Sequence, residues 1–160
     1  MITRWKQDQS GQSMVEFALM FVSFMFVMAG IFDFSRALFY YNSLSEAARV
    51  GARYAIVHGE NASSPAGPCS SGASCSCDNS AAANASAIRT AVLTRTTGMS
   101  PGGVTTTCSW PDQNVSFTYL NSINKRVTVT VSYTYQPILT AFIPNANITL
   151  QGQVTSFIQY

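Results

Sequence analysis

The sequence has little charge. Only 10% of its 160 residues are Asp, Glu, Lys or Arg, against about 25% in a typical soluble domain. The net charge of +2 is spread over isolated residues, and the longest basic run is the pair Lys125 and Arg126. A nucleic-acid partner would need a basic patch that is absent here. The composition therefore favours a membrane or cell-envelope protein without nucleic acid as its main partner.

Residues that carry catalysis or bind metals are equally scarce. His58 is the single histidine, and the seven acidic residues show no paired-carboxylate or metal-ligand spacing. Four cysteines are present, but the paired C-x2-C spacing of most zinc sites is missing. We therefore predict no enzymatic activity, no catalytic residue, no metal or cofactor and no small-molecule substrate. A four-thiolate zinc site is the competing interpretation of the cysteines.

One long hydrophobic run dominates the N-terminal part. Residues 14–32 read MVEFALMFVSFMFVMAGIF and are interrupted only by Glu16, Ser23 and small residues. About twenty residues at ~1.5 Å each cover a hydrocarbon core of ~30 Å, whereas an amphipathic helix has polar residues at every third or fourth place. We predict a polar leader over residues 1–11 and a transmembrane helix over residues 12–32.

The helix is predicted to continue outside the membrane over residues 33–58. Charged pairs at i,i+3 spacing support this, and Gly59 provides a C-terminal stop. The whole helix then runs from about Ser13 to Val57, ~65 Å, and Gly30 and Gly51 are places where it can bend. The 3.6-residue rhythm puts six residues on one broad face: Phe34, Leu38, Tyr41, Ala48, Ala52 and Ala55.

Residues 59–160 are predicted to form a small disulfide-bearing domain. Residues 60–79 have no apolar periodicity and predict an irregular loop, whereas residues 80–97 predict a helix. The alternation over residues 127–135 predicts the main strand. Weaker strands are predicted at 104–110, 115–120 and 148–158, and a single helical turn or a crossing loop under the sheet at 138–143. The fold class is α+β, with the long helix packed on a three- to four-stranded antiparallel sheet.

All four cysteines lie beyond the span, which suits an oxidising compartment and two disulfides. A bond between Cys75 and Cys77 is the least plausible, because so small a ring strains the disulfide. Two pairings stay open: Cys69–Cys75 with Cys77–Cys108, or Cys69–Cys77 with Cys75–Cys108.

A short motif stands at the mouth of the hydrophobic helix. Gly11 is followed five residues later by Glu16 and then by the aromatic Phe17. Glycine, four variable residues, then Glu-Tyr or Glu-Phe resembles the processing site of Flp-type pilins. The run VEFAL and its continuation GIFDFSRALFYYNSLSEAARVGARYA resemble the TadE-like family, pilin-related proteins of tight-adherence systems. The resemblance is close over residues 11–55 and looser beyond.

The resemblance implies a pilin-like, membrane-anchored subunit. A prepilin peptidase would cleave after Gly11 and leave Gln12 as the new N-terminus, with Glu16 as the fifth mature residue. Phe17 stands where tyrosine is common in the motif. The implied role is that of a minor pilin or pseudopilin in a Tad-type (type IVb) pilus for surface attachment. Its partners would be the peptidase, other pilin subunits in hetero-oligomers or a homopolymer, and inner-membrane lipid.

Glu16 also has a plain structural interpretation. A carboxylate entering hydrocarbon costs several kcal/mol unless it is paired, and the α-amino group of a neighbouring subunit can pair with it. However, Ser13 and Glu16 also form a capping box, in which both side chains satisfy free N–H groups at a helix start. The two roles are compatible.

Other residues are candidates for assembly. The small side chains permit close approach of neighbouring helices, and the charged ones form a patch just outside the membrane that either contacts partner pilins or is a solvated helix face. These candidates are Ala18, Ser23, Ala29, Gly30, Asp33 and Arg36.

Two rival hypotheses have different N-termini. A secreted binding domain would lose an ordinary signal peptide and start at Gly30, because Ala29 suits signal peptidase. A permanent anchor that displays an adhesin module would keep residues 1–11. Basic residues flank both sides of the span, so charge does not decide the topology. The cysteines and the resemblance favour a single-pass inner-membrane protein with a cytoplasmic N-terminus and a periplasmic C-terminal domain.

Overall fold

The computed structural model describes residues 10–59, 61–66, 74–76, 85–112, 123–138 and 147–159. A long helix comes first and a small mixed domain follows. Four strands form one antiparallel sheet in the order β1-β2-β3-β4, which confirms the predicted α+β class. The elements are α1 (Ser10–Val57), β1 (Ser74–Ser76), α2 (Ala85–Leu93), a 3-10 turn (Pro101–Gly103), β2 (Val104–Ser109), β3 (Arg126–Tyr135) and β4 (Ile148–Phe157).

Helix α1 is continuous over 48 residues, a length of ~72 Å. It starts three residues before the predicted Ser13 and ends at the predicted Val57. After Val57, the backbone N–H of His58 donates to the carbonyl oxygen of Tyr54 at 3.2 Å. The His58 ring stacks on the Tyr54 ring with 3.9 Å between centroids. These two contacts finish the last turn of the helix.

The sheet forms because its two long strands alternate. In β3 the side chains of Val127, Val129 and Val131 are buried, as the period-two pattern predicts. Strand β4 pairs with β3 along its whole length, from Arg126 opposite Phe157 to Tyr135 opposite Ile148.

The C-terminal half of α1 lies directly on the sheet. Its buried face carries Ala47, Ala48, Ala52 and Ala55, whose small side chains let the helix approach β4 and β3. The approach is closest at Gly152 in the middle of β4. A Cβ atom placed there would come within 2.6 Å of the Leu44 carbonyl oxygen. Backbone therefore contacts backbone at this point.

The predicted face of α1 was wrong in its first half. Phe34, Leu38 and Tyr41 are exposed, although they were predicted to share a face with the buried alanines. The sheet instead covers Asp33 and Tyr40, one helix position earlier. The prediction followed apolar character, whereas the packing needed a residue that can accept hydrogen bonds at position 33.

The loop prediction was also wrong at one place. Residues 60–79 were predicted to be irregular, but Ser74–Ser76 form β1 and pair with β2. Helix α2 lies inside the predicted 80–97 segment, and β2, β3 and β4 lie at the predicted strands. The predicted strand at 115–120 and most of the predicted turn at 138–143 lie outside the described residues.

We predict that Gly152→Ala destabilises the domain by about 1–3 kcal/mol, because overpacking of this kind moves backbone or side chains. The nearest atoms are backbone atoms of Leu44 and Ser45, which cannot rotate away. The matched control is Gly102→Ala, because a Cβ at Gly102 meets nothing within 4 Å. Denaturant unfolding, followed by fluorescence of the buried Trp110, measures the difference. Equal stability of the two variants would contradict the close approach.

The strand register also bears on the two disulfide pairings. Cys75 and Cys108 are Cα partners in the β1–β2 ladder. Opposed residues in antiparallel strands have Cα atoms about 4.5 or 5.5 Å apart, within the range of about 4.4–6.8 Å that a disulfide spans. Cys108 is buried, and its sulfur is not a free thiol.

We therefore predict the pairing Cys75–Cys108 with Cys69–Cys77. Peptide mapping of the unreduced chain by mass spectrometry checks it. A peptide pair that joins Cys77 to Cys108 would refute this pairing and support the other one that the sequence leaves open.

Candidate functional site: the anchor helix and its junction with the domain

The predicted processing residues lie in the first two turns of α1. Gly11, Gln12, Glu16 and Phe17 are all exposed, and a Cβ at Gly11 would meet nothing within 4 Å. The Phe17 ring stacks on that of Phe21, with 6.1 Å between centroids. The first backbone N–H groups of a helix have no partner within it, so its first turn opens more easily than the rest. The Gly11–Gln12 peptide bond lies in that turn.

The next five turns of α1 are apolar on every side. None of the 18 consecutive residues that are most apolar in this helix is buried inside the protein. By length and composition, the helix is able to cross a membrane. Large hydrophobic side chains are exposed at almost every position of this segment, among them Leu19, Phe21, Phe24, Val27 and Ile31. A helix that is apolar all round needs a hydrophobic surrounding on all sides.

The small residues predicted for helix packing lie in this same segment. Ala18 and Ser23 are exposed, and Ala29 and Gly30 are half-buried. The Ser23 hydroxyl donates to the Leu19 carbonyl oxygen at 2.9 Å, so its hydrogen-bonding need is met within the helix. A Cβ at Gly30 would meet nothing within 4 Å. The helix is thus unobstructed beside Gly30.

Asp33 connects α1 to the domain. It is the first acidic residue after the apolar run, and it is buried. The Tyr135 hydroxyl donates to Oδ1 at 3.0 Å and also lies 3.2 Å from the Asp33 carbonyl oxygen. The backbone N–H of Ile138 donates to the same Oδ1 at 2.9 Å. The carboxylate therefore binds the end of β3 and the segment after it.

Arg36 lies one turn further along and is exposed. Its Nη2 donates to the Tyr40 hydroxyl at 3.2 Å, and its guanidinium carbon lies 5.6 Å from the Tyr40 ring centroid and 5.8 Å from that of Tyr135. The hydrogen bond to Tyr40 raises the pKa of Arg36. Burial, followed by the hydrogen bond to Asp33, raises the pKa of Tyr135 above its ordinary 10.0. Tyr135 is therefore neutral and Arg36 charged at physiological pH.

Sequence reasoning did not assign a role at this junction to Tyr40 and Tyr135, the two tyrosines that complete it. Tyr40 is buried, donates to the Gly98 carbonyl oxygen at 3.1 Å, and meets the rings of Tyr133 and Tyr135 edge-on at 5.6 and 5.7 Å. The available signal was the spacing of Asp33 and Tyr40, which are seven residues apart and so lie on one face of a helix. A lone polar residue on a buried face requires partners across the interface.

Among the described residues, no group of three or more His, Cys, Asp or Glu side chains lies close enough together to hold a metal ion. Glu46 and Arg49 form an exposed ion pair at 3.8 Å, as their spacing predicts. Of the predicted disulfide residues, only the side chain of Cys108 lies within the described part of the chain.

Residues 11–53 match the family model described as TadE-like protein. This confirms the resemblance read from the sequence over the anchor and most of the helix that packs on the sheet. No curated protein and no solved structure matches the chain. The TadE-like match includes Gly11, Glu16, Asp33 and Arg36, but none of the four strands. The family suggests a pilin-like protein associated with a Tad pilus, but the match covers only this helical part of the chain. Within the described residues, α1 is the one helix long and apolar enough to cross a membrane.

We predict that Asp33→Ala destabilises the domain by about 1–3 kcal/mol, because it removes the carboxylate that accepts from the Tyr135 hydroxyl and leaves the Ile138 N–H unsatisfied. Asp33→Asn keeps an oxygen at the same place and should cost less. Glu46→Ala, on the exposed side of the same helix, should change stability by less than about 1 kcal/mol. Denaturant unfolding of the three variants checks the order. If Asp33→Ala and Glu46→Ala cost the same, the two hydrogen bonds do not hold the junction.

Proposed function

We propose that this chain is a minor pilin or pseudopilin, a membrane-anchored structural subunit in the biogenesis of a Tad-type pilus for surface attachment. One observation carries the proposal. The exposed apolar half of α1 continues without a break into the half that forms the core of the domain. A single rigid element therefore links the domain to a segment that needs hydrophobic neighbours, which lipid supplies before assembly and other pilin helices supply after it.

Processing after Gly11 is the first proposed step. Glycine has no side chain to obstruct a protease, and its neighbour Gln12 is exposed in the same first turn. The turn has to open by only a few residues for the peptide bond to enter an active site. Cleavage would remove Arg4 and Lys6 and create a positive α-amino group at Gln12, four residues before Glu16.

Glu16 has the position and the exposure to act in assembly. Its carboxylate is on an exposed helix surface at the start of the apolar segment, where an unpaired charge is costly in lipid. The new α-amino group of an adjacent subunit is a partner of opposite charge at the same depth. Pairing of the two would align neighbouring subunits along the membrane normal.

Ala18, Ser23, Ala29 and Gly30 are proposed to line contacts with neighbouring helices. Small residues let helix backbones approach closely in lipid, where dispersion contacts rather than the hydrophobic effect favour association. In the orientation that the disulfides suit, the N-terminus is cytoplasmic and the domain, residues 59–160, is periplasmic. The span over residues 12–32 and its continuation over 33–58 keep their predicted roles in this proposal.

Gly11→Val should block processing in cells that carry the native pilus system, because the branched side chain crowds the peptide bond to be cut. The protein would then keep residues 1–11, whereas the wild-type chain would begin at Gln12. Gly30→Val is the matched control, since a Cβ there meets no other atom within 4 Å. N-terminal sequencing and intact mass of the purified chains measure both.

Two results would contradict the proposal. A wild-type chain that begins at Gly30 would indicate an ordinary signal peptide and a secreted domain. A wild-type chain that keeps residues 1–11 in these cells would indicate a permanent anchor, with Glu16 serving as a helix cap.

A further inference from the structure

Three contacts orient the domain along α1. Near the end of the apolar segment, Asp33 accepts from the Ile138 N–H. In the middle, Leu44 lies against Gly152. Close to the helix end, the Gln159 N–H donates to the Ile56 carbonyl oxygen at 3.3 Å. Strand β4 therefore runs alongside α1 in the same direction, and β3 runs in the opposite direction. The end of β3 and the start of β4 lie nearest to the apolar segment.

These contacts fix which residues lie at the depth of the membrane surface. If hydrocarbon covers residues 14–32, Asp33 is the first residue beyond it, and the headgroup layer occupies about 5–7 Å more on that side. Leu38 lies five residues beyond Asp33, a rise of ~7.5 Å, so Phe34 falls inside this layer and Leu38 at its outer edge. Ile138 is held at the level of Asp33 by its hydrogen bond, and Ile148 is the β-ladder partner of Tyr135.

The side chains at this end suit a headgroup layer. Phe34, Leu38, Ile138 and Ile148 are exposed by 65%, 47%, 55% and 50%. Arg36 is an exposed cation at the same end, and its guanidinium group lies over the rings of Tyr40 and Tyr135. Apolar side chains with a cation beside them match the boundary between acyl chains and lipid phosphates. We call these five residues the near end of the domain.

We propose that the near end of the domain lies in the lipid headgroup layer, with its apolar side chains at the acyl boundary and the Arg36 guanidinium at lipid phosphate. This inference rests on the membrane anchoring in the proposed function and adds a second, peripheral membrane contact. The occupant is lipid because this surface continues directly from the membrane-spanning segment. The domain is then held at a fixed distance from the membrane and does not change its orientation freely.

Tryptophan depth measurements test the proposal. The full chain, with Trp5 replaced by Phe, is reconstituted at low protein density in vesicles of phosphatidylcholine and phosphatidylglycerol brominated near the glycerol end of the acyl chains. Ile138→Trp and Ile148→Trp should lose most of their added fluorescence. Ile123→Trp is the matched control: Ile123 is 49% exposed, but it lies before the far end of β3, ~30 Å away along the strand, and should lose none.

A further variant, Phe21→Trp with deep bromines, reports on the anchor itself. If Phe21→Trp is quenched while Ile138→Trp is quenched no more than Ile123→Trp, the near end is not in lipid and only this inference fails. If Phe21→Trp is not quenched, the anchor fails and both proposals fall. Shielding of Ile138→Trp from bromine that grows with protein density would show that another copy covers this surface, which also overturns the inference.

Discussion

The backbone contact between Leu44 and Gly152 is the constraint on which the arrangement of the whole chain depends. Because a strand and a helix meet here without side chains between them, β4 has to follow the axis of α1. The helix face that meets the sheet is accordingly built from alanine. Once β4 is aligned, its pairing with β3 determines where Tyr135 arrives, and that is beside Asp33. The direction of the domain relative to the anchor thus follows from one glycine.

The two halves of helix α1 have different surroundings, and the change occurs at Asp33. Before it, almost every large side chain is apolar and exposed, and after it one face is buried and the other carries charge. A carboxylate at this boundary is tolerable because the Tyr135 hydroxyl and the Ile138 N–H supply the hydrogen bonds that water would otherwise supply. The same bonds bring the end of β3 to the end of the apolar segment, which is the membrane surface in the proposed arrangement. Asp33 therefore both ends the apolar segment of α1 and attaches the domain to it.

The elements of the fold could be predicted from the sequence because their patterns are local. The apolar run, the alternation in β3 and the stop at His58 and Gly59 each depend on neighbours in the chain. Which face of α1 is buried near residue 33 could not be predicted in the same way, because Phe34 and Leu38 are more apolar than Asp33 and Ala37. Only the position of Tyr135, about a hundred residues away, makes Asp33 a buried residue. The processing motif could be proposed from the sequence because it is contiguous, whereas the junction joins residues from α1 and β3 that no sequence spacing connects. Strand β1 was missed because three residues of Ser and Cys show no periodicity.

The carboxylates of Glu16 and Asp33 differ in whether a neighbouring subunit can reach them. Glu16 and Asp33 are separated by ~25 Å along the helix, slightly less than the ~30 Å thickness of the hydrocarbon core, so with Asp33 at one boundary Glu16 lies just inside the other. Asp33 is buried and accepts hydrogen bonds from its own domain. Glu16 lies on an exposed helix surface just inside the other boundary. A carboxylate that is buried in its own subunit cannot form an ion pair with a neighbour. An exposed carboxylate at the edge of lipid is stabilised by any cation at the same depth. In the proposed assembly, Glu16 is therefore the better candidate than Asp33 for a contact with a neighbouring subunit.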